Sequence, residues 1–184
     1  MYLIAYATTD GQTRKIARFA ADRLAAKGHS VELVNVEDAE GLDLSRFAAA
    51  ILAGSLHAGG YQKSLARFVL TEACHLSLIP TLFLAVSLSA AGTDPDDWAG
   101  LRTCLAAFEA ETGWTPGRVE HVAGAFRFSE YDFFRAWAMR RIADQKGEAV
   151  EPGTDKEYTD WSALGATLDQ WVAGLAKAGA ASAG

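Results

Sequence analysis

The sequence predicts an α/β fold in which five parallel strands form one sheet with helices on both faces. Apolar runs of strand length alternate along the chain with longer stretches whose apolar residues recur at helical spacing. Such strict alternation implies right-handed crossovers between parallel strands. With 184 residues, of which 50% are hydrophobic, the chain can bury one substantial core. We therefore predict a single domain over residues 1–176.

The first two strands and the first helix follow from the opening of the chain. Residues 2–7 form an apolar run, and residues 12–27 place apolar side chains at helical spacing. Gly28 then predicts the end of this helix. The stretch "HSVELVNV" carries alternating apolar residues, which predicts a second strand.

The following elements continue the alternation. The runs "FAAAILAG" and "TLFLAVSL" are nearly continuous in apolar residues, which predicts a third and a fourth strand buried on both faces. Between them, "YQKSLARFVLTEACHLSL" predicts a helix that ends before Pro80. A helix with Trp98 and Phe108 at apolar positions, a fifth strand over "VEHVAGAFRF", and a last helix from about Asp160 to Leu175 complete the fold.

Two segments depart from this regular pattern. The connection between the fifth strand and the last helix is about thirty residues long, far more than such a connection needs. We interpret residues 128–159 as an insertion with its own helix near Glu130 to Lys146. The end of the chain, residues 177–184, is rich in alanine, glycine and serine, which predicts a disordered tail.

Composition excludes several classes of function. A net charge of -6 and a pI near 5.2 argue against nucleic-acid binding, which requires a basic surface. The longest apolar run falls short of the roughly 20 residues of a membrane-spanning helix, and no basic region precedes an apolar signal core. Cys74 and Cys104 lie far apart in sequence and predict two reduced, buried thiols, as in a cytoplasmic protein.

The turn after the first strand, "YATTDGQT", carries the main functional signal. It offers hydroxyl and amide donors from Thr8, Thr9, Gln12 and Thr13, and Gly11 allows close approach of the backbone. Converging donors at a helix N-terminus bind a phosphate without basic side chains, because the helix dipole favours an anion there. The turn lacks the Walker and dinucleotide-binding glycine patterns. It predicts a phosphomonoester site, with an ordinary threonine-rich N-cap as the alternative.

Two further loops follow strands that should end at the same edge of the sheet. They are "AGSLHAGGY" after the third strand and "VSLSAAGTDPDDW" after the fourth. Their glycines and small residues leave room for a flat ligand close to the backbone. Together with the phosphate turn, they predict a flavodoxin-like sheet of order 2-1-3-4-5 that binds flavin mononucleotide (FMN) at its switch point.

Specific motifs add a resemblance to a known family. The chain resembles flavodoxins and, more closely, the menaquinone-dependent protoporphyrinogen IX dehydrogenases of bacterial haem biosynthesis. The resemblance rests on "TTDGQT", "GSLHAGGY", "AGAFRF", "YTDW" and the long insertion, and it extends from Tyr2 to about Leu175. Asp10 stands where ordinary flavodoxins have a threonine, which is similar to the dehydrogenase branch.

The resemblance implies a cofactor, a reaction and a set of binding residues. Protoporphyrinogen IX would lose six electrons to give protoporphyrin IX, and the electrons would pass through FMN to a membrane quinone. The residues implied around the FMN phosphate are Thr8, Thr9, Asp10, Gly11, Gln12 and Thr13. Those implied along the ring and ribityl chain are Ser55, Leu56, His57, Ala58, Gly59, Val86, Ser87, Leu88 and Ser89. No catalytic side chain and no metal is predicted, because the flavin itself transfers the electrons.

Two residues are candidates to contact the substrate, each with a competing interpretation. His57 either hydrogen-bonds the flavin or a substrate propionate, or it is simply solvated. Arg127 follows the fifth strand, where a guanidinium suits carboxylate recognition. Its alternative is a surface ion pair with Glu130 or Asp132.

The loops also differ from those of relatives of the enterobacterial type. Those relatives have basic and aromatic residues in the second loop and a lysine- and arginine-rich third loop, whereas this chain has Ala58 and the acidic "TDPDDW". The resemblance therefore does not extend to the docking of substrate propionates or anionic lipid at these positions. The aromatic residues near the predicted flavin ring are Tyr61 and Trp98. We expect Trp98 instead to be a core residue contributed by its helix. A sparsely covered ring leaves a face for a flat substrate, which favours an enzyme over a carrier.

The predicted helix of the insertion combines aromatic and basic side chains between Tyr131 and Lys146. Such a segment is typical of contact with a membrane surface, where the quinone resides. The alternatives are packing on the domain itself or on a second subunit of a homo-oligomer. The membrane interpretation places the protein at the inner face of the cell membrane.

Two other functions stay open at this point. A flavodoxin-type electron carrier agrees with the net negative charge. A flavodoxin-like quinone reductase needs a nicotinamide donor, for which the sequence has no fingerprint.

Overall fold

A computed structural model describes residues 1–126 and 156–182 of the chain. Five parallel strands form the main sheet in the order β2-β1-β3-β4-β5, which confirms the predicted topology. The strands are β1 (Tyr2–Tyr6), β2 (Val31–Asn35), β3 (Ala49–Ser55), β4 (Thr81–Ser87) and β5 (Arg118–Ala123). At the centre of the sheet, Ile4 of β1 pairs with Leu33 of β2 and Ile51 of β3.

Within the described residues, four long helices flank the sheet, and three short 3₁₀ helices lie in its loops. The long helices are α1 (Gln12–Ala26), α2 (Lys63–Leu76), α3 (Pro95–Thr112) and α4 (Trp161–Ser182). The 3₁₀ helices are Val36–Asp38, Leu44–Arg46 and Ser89–Ala91. Helices α2 and α3 pack on one face with Leu3, and α1 and α4 pack on the other with Ile4. Because successive strand residues point to opposite faces, the central strands need apolar residues at nearly every position.

An ion pair ties the two helices of the second face together. The Arg23 guanidinium on α1 donates two hydrogen bonds of 2.9 Å to the Asp169 carboxylate on α4. Gly165 makes this approach possible, because a Cβ there would lie 2.9 Å from the Arg23 Cζ atom. The hydrogen bond from Arg23 lowers the pKa of Asp169 to about 2.

The fifth strand is shorter than predicted. β5 ends at Ala123, and residues Ala125–Phe126 form a separate strand β6 that pairs antiparallel with β7 (Lys156–Glu157). The break occurs at Gly124, whose N–H donates to the Ser87 carbonyl at 3.0 Å while its carbonyl accepts from Tyr158 N–H at 3.0 Å. The prediction of one continuous strand through "VEHVAGAFRF" is therefore wrong.

The last helix and the cysteines differ in part from the sequence predictions, and most of the insertion falls outside the described residues. Helix α4 continues past Leu175 to Ser182, so its predicted end is too early and residues 177–182 of the predicted tail lie in it. Both cysteines are free thiols, but Cys74 is exposed rather than buried. The insertion, with its segment from Tyr131 to Lys146, lies outside the described residues apart from residues 156–159, and Arg127 just before it also lies outside them. In the described ranges, no helix has the length and hydropathy needed to cross a membrane.

Candidate functional site

Three loops follow neighbouring strands at the carboxyl edge of the sheet. The first loop (residues 7–11) follows β1, the second loop (residues 56–62) follows β3, and the third loop (residues 88–94) follows β4. Since β1 and β3 are paired in parallel, the first two loops leave the sheet side by side. This edge is where open α/β sheets bind their ligands.

The first loop delivers the chain into α1 without a side-chain cap. Gly11 occupies the N-cap position with a left-handed φ of 86°, and no side chain bonds to the first turn, which also lacks acidic residues. The Thr8 hydroxyl accepts a 2.9 Å hydrogen bond from Gly11 N–H instead. The alternative of an ordinary threonine cap is therefore wrong. An uncapped helix N-terminus presents N–H groups and a positive dipole end to an anion.

The remaining side chains of this loop differ in exposure. Thr9 and Asp10 are exposed, whereas Thr13, in the first turn of α1, is buried at 1% exposure. Asp10 adds a negative charge at the edge of the predicted phosphate site. Any anion held here therefore depends on backbone N–H groups and hydroxyls rather than on side-chain charge.

Gln12 does not point its side chain toward the predicted phosphate. Its Nε2 atom donates to Thr159 Oγ1 at 2.9 Å and to Glu157 Oε2 at 3.1 Å. Thr159 in turn donates to the Ala123 carbonyl at 2.7 Å. We call this connection the Gln12 bridge; it ties the first residue of α1, next to the first loop, to β7 and to the segment between β7 and α4. Because its amide nitrogen donates within the protein, the N–H that Gln12 offers to an anion is that of its backbone.

The Glu157 carboxylate, one end of the Gln12 bridge, accepts hydrogen bonds from three donors. Lys15 Nζ lies 2.5 Å from its carboxylate, and Trp161 Nε1 donates to it at 2.7 Å. Burial acts to raise the pKa of Glu157, but the hydrogen bonds from Lys15, Trp161 and Gln12 outweigh burial and hold it below its ordinary range. The carboxylate is therefore a structural acceptor.

Gln62 links the first loop to the second and was missed by the sequence analysis. Its Oε1 atom accepts from Ser55 N–H at 3.1 Å, and its Nε2 atom donates to Ser55 Oγ and to Thr9 Oγ1, the latter at 3.3 Å. We call this connection the Gln62 bridge. The one available signal was its position directly before α2, at the end of a glycine-rich loop.

The second loop folds into a tight turn. His57 and Gly60 exchange two backbone hydrogen bonds of 2.8 and 3.1 Å, while Ala58 and Gly59 between them have φ angles of 48° and 85°. A positive φ is uncommon at a residue other than glycine, so Ala58 stores strain. The Cys104 thiol of α3 donates to the Gly59 carbonyl at 3.3 Å. The turn places His57 and Ala58 at the rim, with His57 half-buried and Ala58 exposed.

Tyr61 is half-buried and packs against the core, and its place beside the flavin ring stays a prediction. Its ring packs edge-on against Phe83 and Phe108, each with a centroid distance of 5.1 Å. Burial raises the pKa of the Tyr61 hydroxyl, and the neighbouring Cys104 adds to the effect. The contacts of the Tyr61 ring with Phe83 and Phe108 thus anchor the end of the second loop on the core.

Trp98 holds the third loop rather than filling the core. It is half-buried, and its indole N–H donates to the Gly92 carbonyl at 2.9 Å. Its ring and that of His121 form an edge-to-face pair with a centroid distance of 5.4 Å. Burial lowers the pKa of His121. The expectation that Trp98 is a core residue of its helix is therefore wrong.

The predicted residues at the end of β4 and at the start of the third loop contribute mainly backbone. Val86 is 2% exposed in the core, and its carbonyl accepts from Leu56 N–H at 2.8 Å. Ser87 is 7% exposed, and its hydroxyl accepts from Ala90 N–H at 3.1 Å. Leu88 and Ser89 are half-buried at the rim.

Two further searches concern the described residues only. No group of three His, Cys, Asp or Glu side chains among them is placed to hold a metal ion. A groove of about 440 Å³ lies between the segment after β2 and helix α2, and its lining includes Arg67 with Glu37, Glu40 and Glu72. None of the predicted site residues lines this groove.

Comparison with known proteins assigns the family. A family model described as a flavodoxin domain matches residues 3–151. The chain belongs to the flavodoxin domain family. A flavodoxin from Fusobacterium nucleatum, solved bound to flavin mononucleotide, superposes with a TM-score of 0.51 at 13% identity, and 96% of each chain is covered. This similarity supports the fold.

Two relatives belong to the group of enzymes that the sequence resembles. The protoporphyrinogen IX dehydrogenase (quinone) of Escherichia coli strain K12 is 28% identical over 160 residues, which cover 86% of this chain and 87% of the relative. The enzyme of the same name from Leishmania major is 27% identical over 163 residues, which cover 88% of this chain and 70% of the relative. The predicted similarity to this group of oxidoreductases is confirmed.

Proposed function

We propose that this flavodoxin-domain protein binds FMN and catalyses the six-electron oxidation of protoporphyrinogen IX to protoporphyrin IX, with a membrane quinone as acceptor, in haem biosynthesis. The observation that carries the proposal is the similarity to two dehydrogenases of that name over more than four fifths of this chain, 86% and 88%. A menaquinone is the quinone that the resemblance implies.

The residues of the carboxyl edge fit FMN on chemical grounds. The uncapped N-terminus of α1 and the left-handed Gly11 form a cradle for a phosphate. We assign the phosphate to the first loop and to the backbone N–H groups of Gln12 and Thr13, and the ring to the backbone of the second and third loops. When bound, FMN supplies the electron transfer between the two substrates.

The chain's own residues contribute binding and orientation. The Tyr61 ring packs against the core and Trp98 is held against its own loop, which leaves the rim sparsely covered. A flat tetrapyrrole can then stack on the exposed side of the ring. We assign His57, half-buried at the turn, and Arg127 to the substrate propionates. Contact of the segment from Tyr131 to Lys146 with the membrane belongs to the same proposal.

A flavodoxin-type electron carrier is the second candidate, which the net charge of -6 favours. A carrier shields its ring and exchanges electrons with basic protein partners. The inward position of Tyr61 favours the enzyme instead.

An anaerobic assay separates these functions. The FMN-loaded full chain is mixed with protoporphyrinogen IX and a menaquinone analogue, and porphyrin fluorescence is followed against samples without quinone, without FMN and without protein. We expect fluorescence to grow only when all components are present. A flavin that binds and is reduced but yields no porphyrin would assign the carrier, and protein that retains no FMN would refute both.

A deletion variant tests the proposed role of the insertion. Without residues 132–146, the protein should keep FMN and lose reduction of a quinone embedded in vesicles. Unchanged turnover would remove this segment from the reaction.

A further inference from the structure

The orientation of the Gln62 amide is fixed by its surroundings. Ser55 N–H can only donate, so the atom that it contacts at 3.1 Å must be the amide oxygen Oε1. The amide nitrogen Nε2 then faces Ser55 Oγ and Thr9 Oγ1. This assignment follows from the hydrogen-bond network itself, which is the criterion for placing an amide.

The polarity of two hydroxyl groups follows from this orientation. An amide nitrogen can only donate, so both Thr9 Oγ1 and Ser55 Oγ accept from Gln62. Each hydroxyl therefore keeps its own proton for another acceptor. Thr8 has the same polarity, because its oxygen accepts from Gly11 N–H at 2.9 Å.

These hydroxyl groups share one rim of the carboxyl edge. Thr8 and Thr9 lie in the first loop, Ser55 ends β3 beside it, and Gln62 joins the two. Within the described residues, no hydrogen bond from any of the three hydroxyl protons is formed. The rim therefore presents hydroxyl donors next to the uncapped N-terminus of α1.

An acceptor-only ligand satisfies such a rim. A phosphate monoester offers several acceptor oxygens and, as a dianion, no proton to donate, whereas a ligand with its own donors would compete for these hydroxyls. Lysine and arginine are absent from the first loop, so hydroxyl orientation replaces side-chain charge as the source of selectivity.

We propose that Gln62 is a positioning residue that turns the Thr9 and Ser55 hydroxyl protons toward the FMN phosphate, and so makes the site selective for FMN over riboflavin. The inference rests on the proposed function, in which FMN is the cofactor. Gln62 acts through the two hydroxyls and does not itself touch the ligand.

Substitution of Gln62 by glutamate reverses this polarity at almost constant shape. One carboxylate oxygen still accepts from Ser55 N–H, but the other can only accept, so it draws the two hydroxyl protons away from the phosphate. Since a hydrogen bond to a charged group is worth about tenfold in affinity or more, losing two should raise the FMN dissociation constant by roughly 100-fold. Riboflavin has no phosphate, so its affinity should change little.

The measurement is flavin fluorescence quenching by the full apo chain, with FMN and riboflavin titrated into each variant. Lys63→Gln is the matched control, because it also makes the protein one charge more negative, at the exposed neighbouring residue, without contacting either hydroxyl. Its effect on FMN should be small and should fade with added salt. Gln62→Met frees both hydroxyls to rotate and should fall between wild type and Gln62→Glu.

A second comparison removes the hydroxyls themselves. In a Thr9→Val, Ser55→Ala background, Gln62→Glu should cost far less FMN affinity than in wild type, because residues of one network are not additive. The inference is overturned if Gln62→Glu weakens FMN and riboflavin equally, or if Lys63→Gln matches it. Wild-type protein that retains no FMN would refute the proposed function as well; normal FMN binding with an unchanged FMN preference in Gln62→Glu would refute the role of Gln62 alone.

Discussion

Two glutamines lie on either side of the first loop, and each contacts hydroxyl groups. The two sides differ in whether the hydroxyl proton is donated within the protein. On the Gln12 side, Thr159 accepts from the amide at 2.9 Å and donates to the Ala123 carbonyl at 2.7 Å, so its proton is used inside the protein. On the Gln62 side, Thr9 and Ser55 accept from the amide. On the Gln12 side the hydroxyl proton is thus used within the protein, and on the Gln62 side the hydroxyl protons stay available to a ligand. We call these the closed side and the open side of the loop.

Burial agrees with this division. Thr159 is 9% exposed, whereas Thr9 lies open at the surface. Helices elsewhere follow the closed pattern, since the hydroxyls of Thr71 and Thr112 donate to the carbonyls four residues before them. The Gln12 bridge should therefore govern stability, and the Gln62 bridge should govern the preference for a phosphorylated ligand.

The largest effect on stability is expected from Gly54→Ala, which adds a methyl group beneath Gln62, next to Leu65. A Cβ at Gly54 would lie 2.3 Å from Leu65 Cδ2 and 3.6 Å from Gln62 Oε1. Leu65 is fully buried at the start of α2, so displacing it should lower the free energy of unfolding by about 1–3 kcal/mol. Urea denaturation measures this loss.

A compensating variant checks the cause. Leu65→Val removes volume next to the added methyl group, so the double variant should be less destabilised than the sum of the two single variants. Strict additivity would contradict the clash at Leu65.

Thr159→Val sharpens the comparison with an intermediate effect. The substitution keeps the shape but removes the donor to Ala123 and the acceptor for Gln12. An unsatisfied buried group costs about 1–3 kcal/mol, and we expect the lower half of that range in urea denaturation. The ratio of FMN to riboflavin affinity should stay near the wild-type value.

Thr9→Val is the matched variant on the other side. The exposed position should leave stability within about 0.5 kcal/mol of wild type, while the FMN preference falls. If Thr159→Val reduces the preference as much as Thr9→Val does, the two bridges do not differ as described.

Local patterns were enough to predict the sheet and the first loop. The nearly continuous apolar runs of β3 and β4 require burial on both faces, which fixes their central place in the sheet. Gly11 has a left-handed backbone, which glycine adopts without steric cost. These features depend on residues near one another in sequence.

The features that the sequence did not reveal depend on distant contacts. Gln62 meets Thr9 across 53 positions, and nothing near either residue indicates the pairing. Tyr61 turns inward because Phe83 and Phe108 form a stacked pair that its ring can join, which loop composition does not show. Likewise, β5 ends at Gly124 because Ser87 and Tyr158 from other elements bond to its backbone.

The smallest effect is expected at Glu157, the carboxylate of the Gln12 bridge, and it depends on pH. Because the folded pKa of Glu157 lies below its ordinary value of 4.5, its contribution to stability is present above that value and is lost as pH falls through the folded pKa. Glu157→Gln should reduce the free energy of unfolding by up to about 1 kcal/mol at pH 7, with the difference from wild type vanishing in the acid range below 4.5.

Asp169→Asn is the control, because Asp169 also anchors α1 but bonds to Arg23 and takes no part in the Gln12 bridge. The pKa of Asp169 is lowered to about 2, so its difference from wild type should persist to more acidic pH than that of Glu157→Gln. Urea denaturation of both variants between pH 7 and pH 3 gives the two curves. If they converge with wild type at the same pH, the donors from Lys15, Trp161 and Gln12 do not set the titration of Glu157, and the closed side of the loop is held mainly by Thr159.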